Sequence, residues 1–319
     1  MKQIFIITIF TITHSLTYGQ ANKLFRQATK TTDLKEKIEL LSGVINLEPK
    51  NLDAHFYRGL AKNDLGDYSG AIVDYSKIIV LEPDADTYYN RGNARYSLKD
   101  LVGAQEDYQN AFKLDNGFID ALYSLGCVKS DLGDFEGSIK DFTNLINAIP
   151  NEPKYYFLRA SAFKALEKHA LALNDYSLAV LVDPSADSFY NRGVFYMDIN
   201  YYEKANADLS IALKLNENNS YAYFYRGASF LLLGKYINAI TDFNTVLKFD
   251  ALDFDAMLGL ALSYYKVNDM ENATLYFQKA DSILSLNGSL KNIENYKNTY
   301  WFQNQYFFFS ENFTEFSKL

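Results

Sequence analysis

The chain has 319 residues, 48% of them hydrophobic, with 26 Tyr, 24 Phe and a formal charge of −8. That apolar content excludes a disordered chain, and an acidic balance with no local run of Lys or Arg excludes a general nucleic-acid binder, which needs a concentrated basic surface. The single cysteine, Cys127, excludes an intrachain disulfide framework or a cysteine zinc knuckle and reads as a small core residue.

At the start, Lys2 precedes the apolar run Ile4–Phe10 and the small-residue site Thr17-Tyr18-Gly19. This is the layout of a secretory signal peptide over residues 1–19, and its apolar core is shorter than the roughly 20 residues of a spanning helix. The expectation is export without an integral membrane span, to the periplasm or outer surface of a Gram-negative cell.

A unit of 33 or 34 residues then recurs. The stretch His55–Pro83, HFYRGLAKNDLGDYSGAIVDYSKIIVLEP, returns from Tyr88, Phe189 and Tyr223, and more loosely from Leu122. Gly59, Gly92, Gly126, Gly193 and Gly227 set the register, with Ala160 and Ala261 in the same slot. The units run 18–51, 52–84, 85–118, 119–152, 153–185, 186–219, 220–253 and 254–287. Length alone would suggest two domains, but a fixed period grows by stacking and predicts one elongated array. All five prolines, Pro49, Pro83, Pro150, Pro153 and Pro184, fall between the second helix of one unit and the first of the next, where a helix tolerates them. In the second helix of the unit 52–84, Ala71, Ile72, Tyr75, Ile78, Ile79 and Leu81 share one face. Gly59 and Ala71 are small where the two helices of a unit approach.

Gly59, the turn Gly66-Asp67-Tyr68, Ala71, Tyr75 and Pro83 stand in the order of the tetratricopeptide pattern, with Ile78 in place of its second Ala. Over residues 20–287 the chain resembles the tetratricopeptide repeat family. The resemblance implies an all-α fold, an α-solenoid of about eight helix–turn–helix repeats forming a right-handed superhelix, closed by a C-terminal capping helix. It further implies a protein–protein interaction scaffold, with no enzyme activity and no cofactor.

An Arg stands just before the marker residue in five units, with an Asp sixteen residues later: Arg58 and Asp74, Arg91 and Asp107, Arg159 and Asp175, Arg192 and Asp208, Arg226 and Asp242. A matched Asp argues for a hydrogen-bonded ion pair inside each hairpin and against a free Arg ladder facing an anionic ligand. Where Leu125 replaces the Arg, Asp141 is expected to lack a partner in its own unit.

In the family the first helices line a concave groove. Its fifth place is here an aromatic row, Phe56, Tyr89, Tyr123, Phe157, Tyr190 and Phe224, with Leu258 last, and its second place is often acidic: Asp53, Asp86, Asp120, Asp187 and Asp255. The chaperone-tail clamp of the family needs Lys where these aromatics stand, and only Asn93 matches its Asn. An asparagine ladder finds only Asn90 and Asn191, and is broken by Tyr57, Ser124, Leu158 and Tyr225. What remains is a groove for a peptide with apolar and basic side chains, lined by Phe56, Tyr89, Asn93, Tyr123, Phe157, Tyr190 and Phe224. The competing reading is that the row packs against neighbouring helices.

No catalytic or metal-binding constellation stands out. His55 and His169 lie in different units, neither with a ligand partner at helical spacing, and both read as structural substitutions. The glycines follow the repeat and form no phosphate loop. Regulation of an enzyme and a structural role in an envelope assembly remain alternative readings.

Residues 288–319 leave the period. Leu290, Ile293, Tyr296, Tyr300 and Phe307 lie at helical spacing and Trp301, Phe302, Phe308 and Phe309 widen the apolar face, which predicts one closing helix over 290–309. So aromatic a cap invites either a fold-back of the last residues or self-association through this segment.

Overall fold

A computed structural model describes residues 18–284 and 292–316 of the chain. Residues 1–17 of the expected signal peptide, and Leu290 of the closing segment, lie outside the described residues. Every regular element described is a helix.

The chain divides into two units, Met1–Ile149 and Pro150–Leu319, where the repeat period by itself suggested one array. The division falls in the link that holds Pro150 and Pro153. The first unit contains α1 (18–28), α2 (Leu34–Leu47), α3 (Leu52–Asp64), α4 (Tyr68–Leu81), α5 (Ala85–Ser97), α6 (Leu101–Leu114), α7 (Ile119–Asp131) and α8 (Phe135–Ala148). The second contains α9 (Pro153–Ala165), α10 (His169–Val182), α11 (Ala186–Asp198), α12 (Tyr202–Leu215), α13 (Ser220–Leu232), α14 (Tyr236–Phe249), α15 (Phe254–Lys266) and α16 (Met270–Leu284). Within each unit, consecutive helices pair as antiparallel hairpins, and each hairpin's second helix packs on the first helix of the next.

One turn builds the hairpin. Gly66 adopts a left-handed backbone (φ 84°), so its N–H reaches Asn63 O at 2.9 Å and the Asp67 N–H reaches Lys62 O at 2.8 Å, closing the end of α3. The Asp67 side chain then accepts from the Gly70 N–H at 2.9 Å and starts α4. Asp100 and Asp134 repeat this over Gly103 and Gly137. Lys99, Glu167, Asn200 and Asn268 take the left-handed place without being glycine, which shows that the hairpin packing imposes the turn.

The marker glycine answers to a ring. A Cβ added at Gly59 would lie 2.7 Å from Cε1 of Tyr75, so what approaches α3 closely at this glycine is an aromatic side chain of α4. Tyr75 is fully buried, as are Phe142 and Phe243 at the same place in other hairpins. Cys127, expected in the core, is only half-buried in α7.

The closing segment is helical, but it is not one helix. It consists of a 3-10 turn at Ile293–Tyr296, then α17 (Tyr300–Asn304) and α18 (Tyr306–Phe316). Thr299 Oγ1 accepts from the Phe302 N–H to start α17, and Gln305 leaves helical geometry (φ −132°, ψ 38°) to end it. In one continuous helix Tyr296 and Trp301 would point about 140° apart. The breaks let Tyr296, Trp301, Phe309 and Phe313 all be buried, with Tyr296 5.5 Å from Phe309 and 5.3 Å from Phe313. Of the aromatics named as a self-association surface, Phe307 stays outside, 84% exposed.

The Tyr75 hydroxyl is buried with no hydrogen-bond partner among the described residues. Since Phe serves at this place in other hairpins, Tyr75→Phe is expected to leave the fold intact and raise its stability by about 1 kcal/mol in urea melts.

Candidate functional site

The first helices carry two sets of side chains, and the structure separates them. The five arginines turn toward their own second helices. Arg58 donates to Asp74 through Nε at 2.9 Å and Nη2 at 2.6 Å, and Arg91, Arg159, Arg192 and Arg226 hold Asp107, Asp175, Asp208 and Asp242 with the same two-pronged geometry. Each of these aspartates is buried. A further N–H of three of them reaches back to the preceding hairpin: Arg58 to Ser42, Arg91 to Ser76 and Arg226 to Ser210. These three guanidiniums tie three helices each.

Asp141 corrects the expectation that it lacks a partner. Lys129, one helical turn past the missing Arg place, bonds it at 2.6 Å. The same position holds Lys62 against Asp74 at 2.8 Å and Arg95 against Asp107 at 2.9 Å. In the second unit it is aromatic, and the Arg lies over the ring: Arg159 over Phe163, Arg192 over Tyr196 and Arg226 over Phe230, at 5.8 to 5.9 Å. The number of partners decides the charge balance. Burial alone would raise the Asp74 carboxyl, but bonds from Arg58, Lys62 and His55 outweigh it and hold the group below its ordinary value. Burial raises Asp242, and Arg226 offsets only part of that.

Both histidines have structural surroundings. His55 sits between Asp74 Oδ1 (3.0 Å from Nδ1) and Pro49 O (3.1 Å from Nε2), and His169 opens α10 with its ring 6.3 Å from that of Phe195. Among the described residues no group of three His, Cys, Asp or Glu side chains could hold a metal ion. No helix among them is long and apolar enough to cross a membrane.

The aromatic row is half-buried in its own hairpins. Phe56 lies 6.1 Å from Tyr75, Tyr89 5.9 Å from Tyr108 and 4.9 Å from Phe118, and Phe157 6.2 Å from Tyr176. Tyr123 is half-buried on α7, Tyr190 packs 6.1 Å from Tyr225, and Asn93 Oδ1 accepts from the Tyr108 hydroxyl at 2.8 Å. Phe224 is the exception to the expected groove, because the chain's own end covers it. It is 8% exposed, with Tyr300 at 5.0 Å and Trp301 at 6.3 Å.

Against known families, the tetratricopeptide repeat model matches residues 85–118, 119–152 and 186–219, windows with the bounds of the sequence period. The chain belongs to the tetratricopeptide repeat family. It is 29% identical over 152 residues to human tetratricopeptide repeat protein 13, covering 46% of this chain and 18% of that protein. It is 34% identical over 97 residues to human serine/threonine-protein phosphatase 5, covering 30% of this chain and 19% of that protein. The chain thus spans about a fifth of the length of these relatives. Among solved structures, the C-terminal part of a TPR repeat-containing protein from Cytophaga hutchinsonii has the same fold, with a TM-score of 0.62 at 15% identity over 75% of this chain and 98% of that one. Tetratricopeptide repeats are protein-interaction scaffolds.

Where the tail covers the repeats, Asp255 is its anchor. The carboxylate accepts from the Tyr300 N–H at 2.9 Å, and the Asp255 carbonyl accepts from Trp301 Nε1 at 2.8 Å. Burial raises this carboxyl to about 7; the Tyr300 N–H works against the rise and neighbouring Asp253 adds to it. An equivalent hollow between α3, α4 and α5 is open, lined by Phe56, Ile78, Glu82, Asp84 and Asp86. The sequence names Asp86 and Asp255 among the second-place acids but not the junctions they enter, because each junction joins side chains of adjacent repeats.

Two outcomes follow. Arg226→Ala leaves Asp242 with no cationic partner among the described residues, whereas Arg91→Ala leaves Asp107 with Arg95. The first should cost about 3–5 kcal/mol and the second less in urea melts at pH 7, with the Arg226→Ala deficit shrinking as pH falls and Asp242 takes up a proton. For Asp255, a folded value raised above 3.8 means that the folded state binds the extra proton, so its contribution to stability is lost as pH rises through about 7. Asp255→Asn, which keeps an acceptor for Tyr300, should therefore raise the Tm more at pH 8 than at pH 5.

Proposed function

We propose that the protein is an exported, non-enzymatic scaffold that binds a protein or peptide on the face presented by its first helices. The carrying observation is how the polar groups of that face are used. The five paired arginines are committed to buried aspartates, while the side chains of Asp53, Glu82 and Asp86 stand exposed around Phe56 with no hydrogen bond or ion pair among the described residues. An aromatic floor with an acid rim suits a segment carrying apolar and basic side chains. Lys2, the apolar run that follows it and the site at Gly19 support export to the periplasm or outer surface of a Gram-negative cell.

The experiment is a panel of extended peptides, basic-aromatic, acidic and polar, titrated into the full chain by calorimetry at low and high salt. Basic-aromatic peptides should bind best, and more weakly at high salt, and Asp53→Lys together with Glu82→Lys should remove most of that preference. Equal binding of acidic peptides would overturn the reading. Expression of the full chain in a Gram-negative host should give a periplasmic product whose first residue is Gln20; retention in the cytoplasm would sink the export reading.

A further inference from the structure

The tail docked on the second unit shows what one junction of this face accepts. At that junction the hollow is formed by Phe224, Val246, Asp250, Asp253 and Asp255, and Tyr300 enters it. The Tyr300 ring stands edge-on to Phe224 at 5.0 Å and to Tyr225 at 5.7 Å, while its backbone N–H goes to the Asp255 carboxylate. Aligned on the repeat period, the open hollow of the first unit presents the same chemistry at the same places. Phe56 stands for Phe224, Ile78 for Val246, Glu82 for Asp250 and Asp86 for Asp255. Tyr57 stands for Tyr225 and is 45% exposed. One difference bears on the ligand: the Asp86 carbonyl already accepts from Asn90 Nδ2 at 2.8 Å, so the carboxylate is the principal acceptor there. The next junction along is closed, since Phe118 lies on Tyr89.

Resting on the scaffold reading above, we propose that the hollow over α3, α4 and α5 is a docking site for an extended segment of a partner protein bearing adjacent aromatic residues. The first ring lies against Phe56 and Tyr57, and its backbone N–H is donated to the Asp86 carboxylate. The partner segment is free of acids at the contact, because Asp53, Glu82 and Asp86 would repel them. The tail of a second copy is not the occupant: in its own unit Trp301 is 0% exposed, and releasing it would uncover a buried aromatic cluster.

The test uses the tail's own sequence as probe. A labelled peptide of residues 297–305, KNTYWFQNQ, with blocked ends, is titrated into the full chain by fluorescence anisotropy. Saturable binding is expected, weakened at least tenfold by Asp86→Lys and by Ala in place of both Tyr300 and Trp301 in the peptide. The control Asp187→Lys, in the second unit, should leave it unchanged. Circular dichroism melts confirm that each variant is folded, and Asp86→Asn, which keeps an acceptor, should retain most of the affinity. Binding that is indifferent to Asp86→Lys, or no binding, overturns the assignment. A random nonapeptide library panned in parallel separates the two readings. Enriched peptides without aromatics that still require Asp86 would overturn the aromatic ligand and leave the scaffold reading standing, and failure to enrich any peptide would overturn both. A dimer at high protein concentration that Asp86→Lys dissolves would overturn the choice of a partner protein in favour of a second copy.

Discussion

A carboxylate buried on the second helix of a hairpin must be neutralised from the first, and much of the remaining architecture follows from that requirement. Asp74, Asp107, Asp175, Asp208 and Asp242 are all buried, and an unpaired charge in such a place costs several kcal/mol. A guanidinium meets the need with two parallel bonds, and in three hairpins a further N–H extends to a serine of the preceding hairpin. The pairing therefore sets the register within a hairpin and also between hairpins of one unit. Asp141 shows how firm the constraint is, because the loss of the Arg at Leu125 is met by Lys129 from one turn further along.

The same commitment shapes the surface. With the five paired arginines turned inward, Asp53, Asp86, Asp120 and Asp187 stay exposed on the first helices beside the aromatic row, which divides into closed and open junctions. Phe118 closes one, the chain's own Tyr300 and Trp301 close another, and the junction at Phe56 stays open. Repeats that share one pattern thus differ in what covers each junction.

Much of the fold was legible because it is local. The glycine markers, the prolines between units and the sixteen-residue spacing of Arg and Asp are properties of a single repeat, and a single repeat can be read from one sequence. The site was legible only in part. The aromatic row could be named residue by residue, but which rings were free could not, since Phe224 is covered by residues 76 and 77 positions away and Asn93 is held by Tyr108. The closing segment misled for a related reason: its helical spacing was genuine, yet burying Tyr296 and Trp301 together required breaks at Thr299 and Gln305 that no periodicity records.

The sequence by itself determined the repeat, its hairpins and the family, because helix periodicity, turn residues and matched charges act over a few tens of residues. Only the tertiary structure decided which part of the first-helix face is available. Availability depends on side chains brought together from different repeats and from the chain's end, and the burial of one against another is set by packing rather than by spacing.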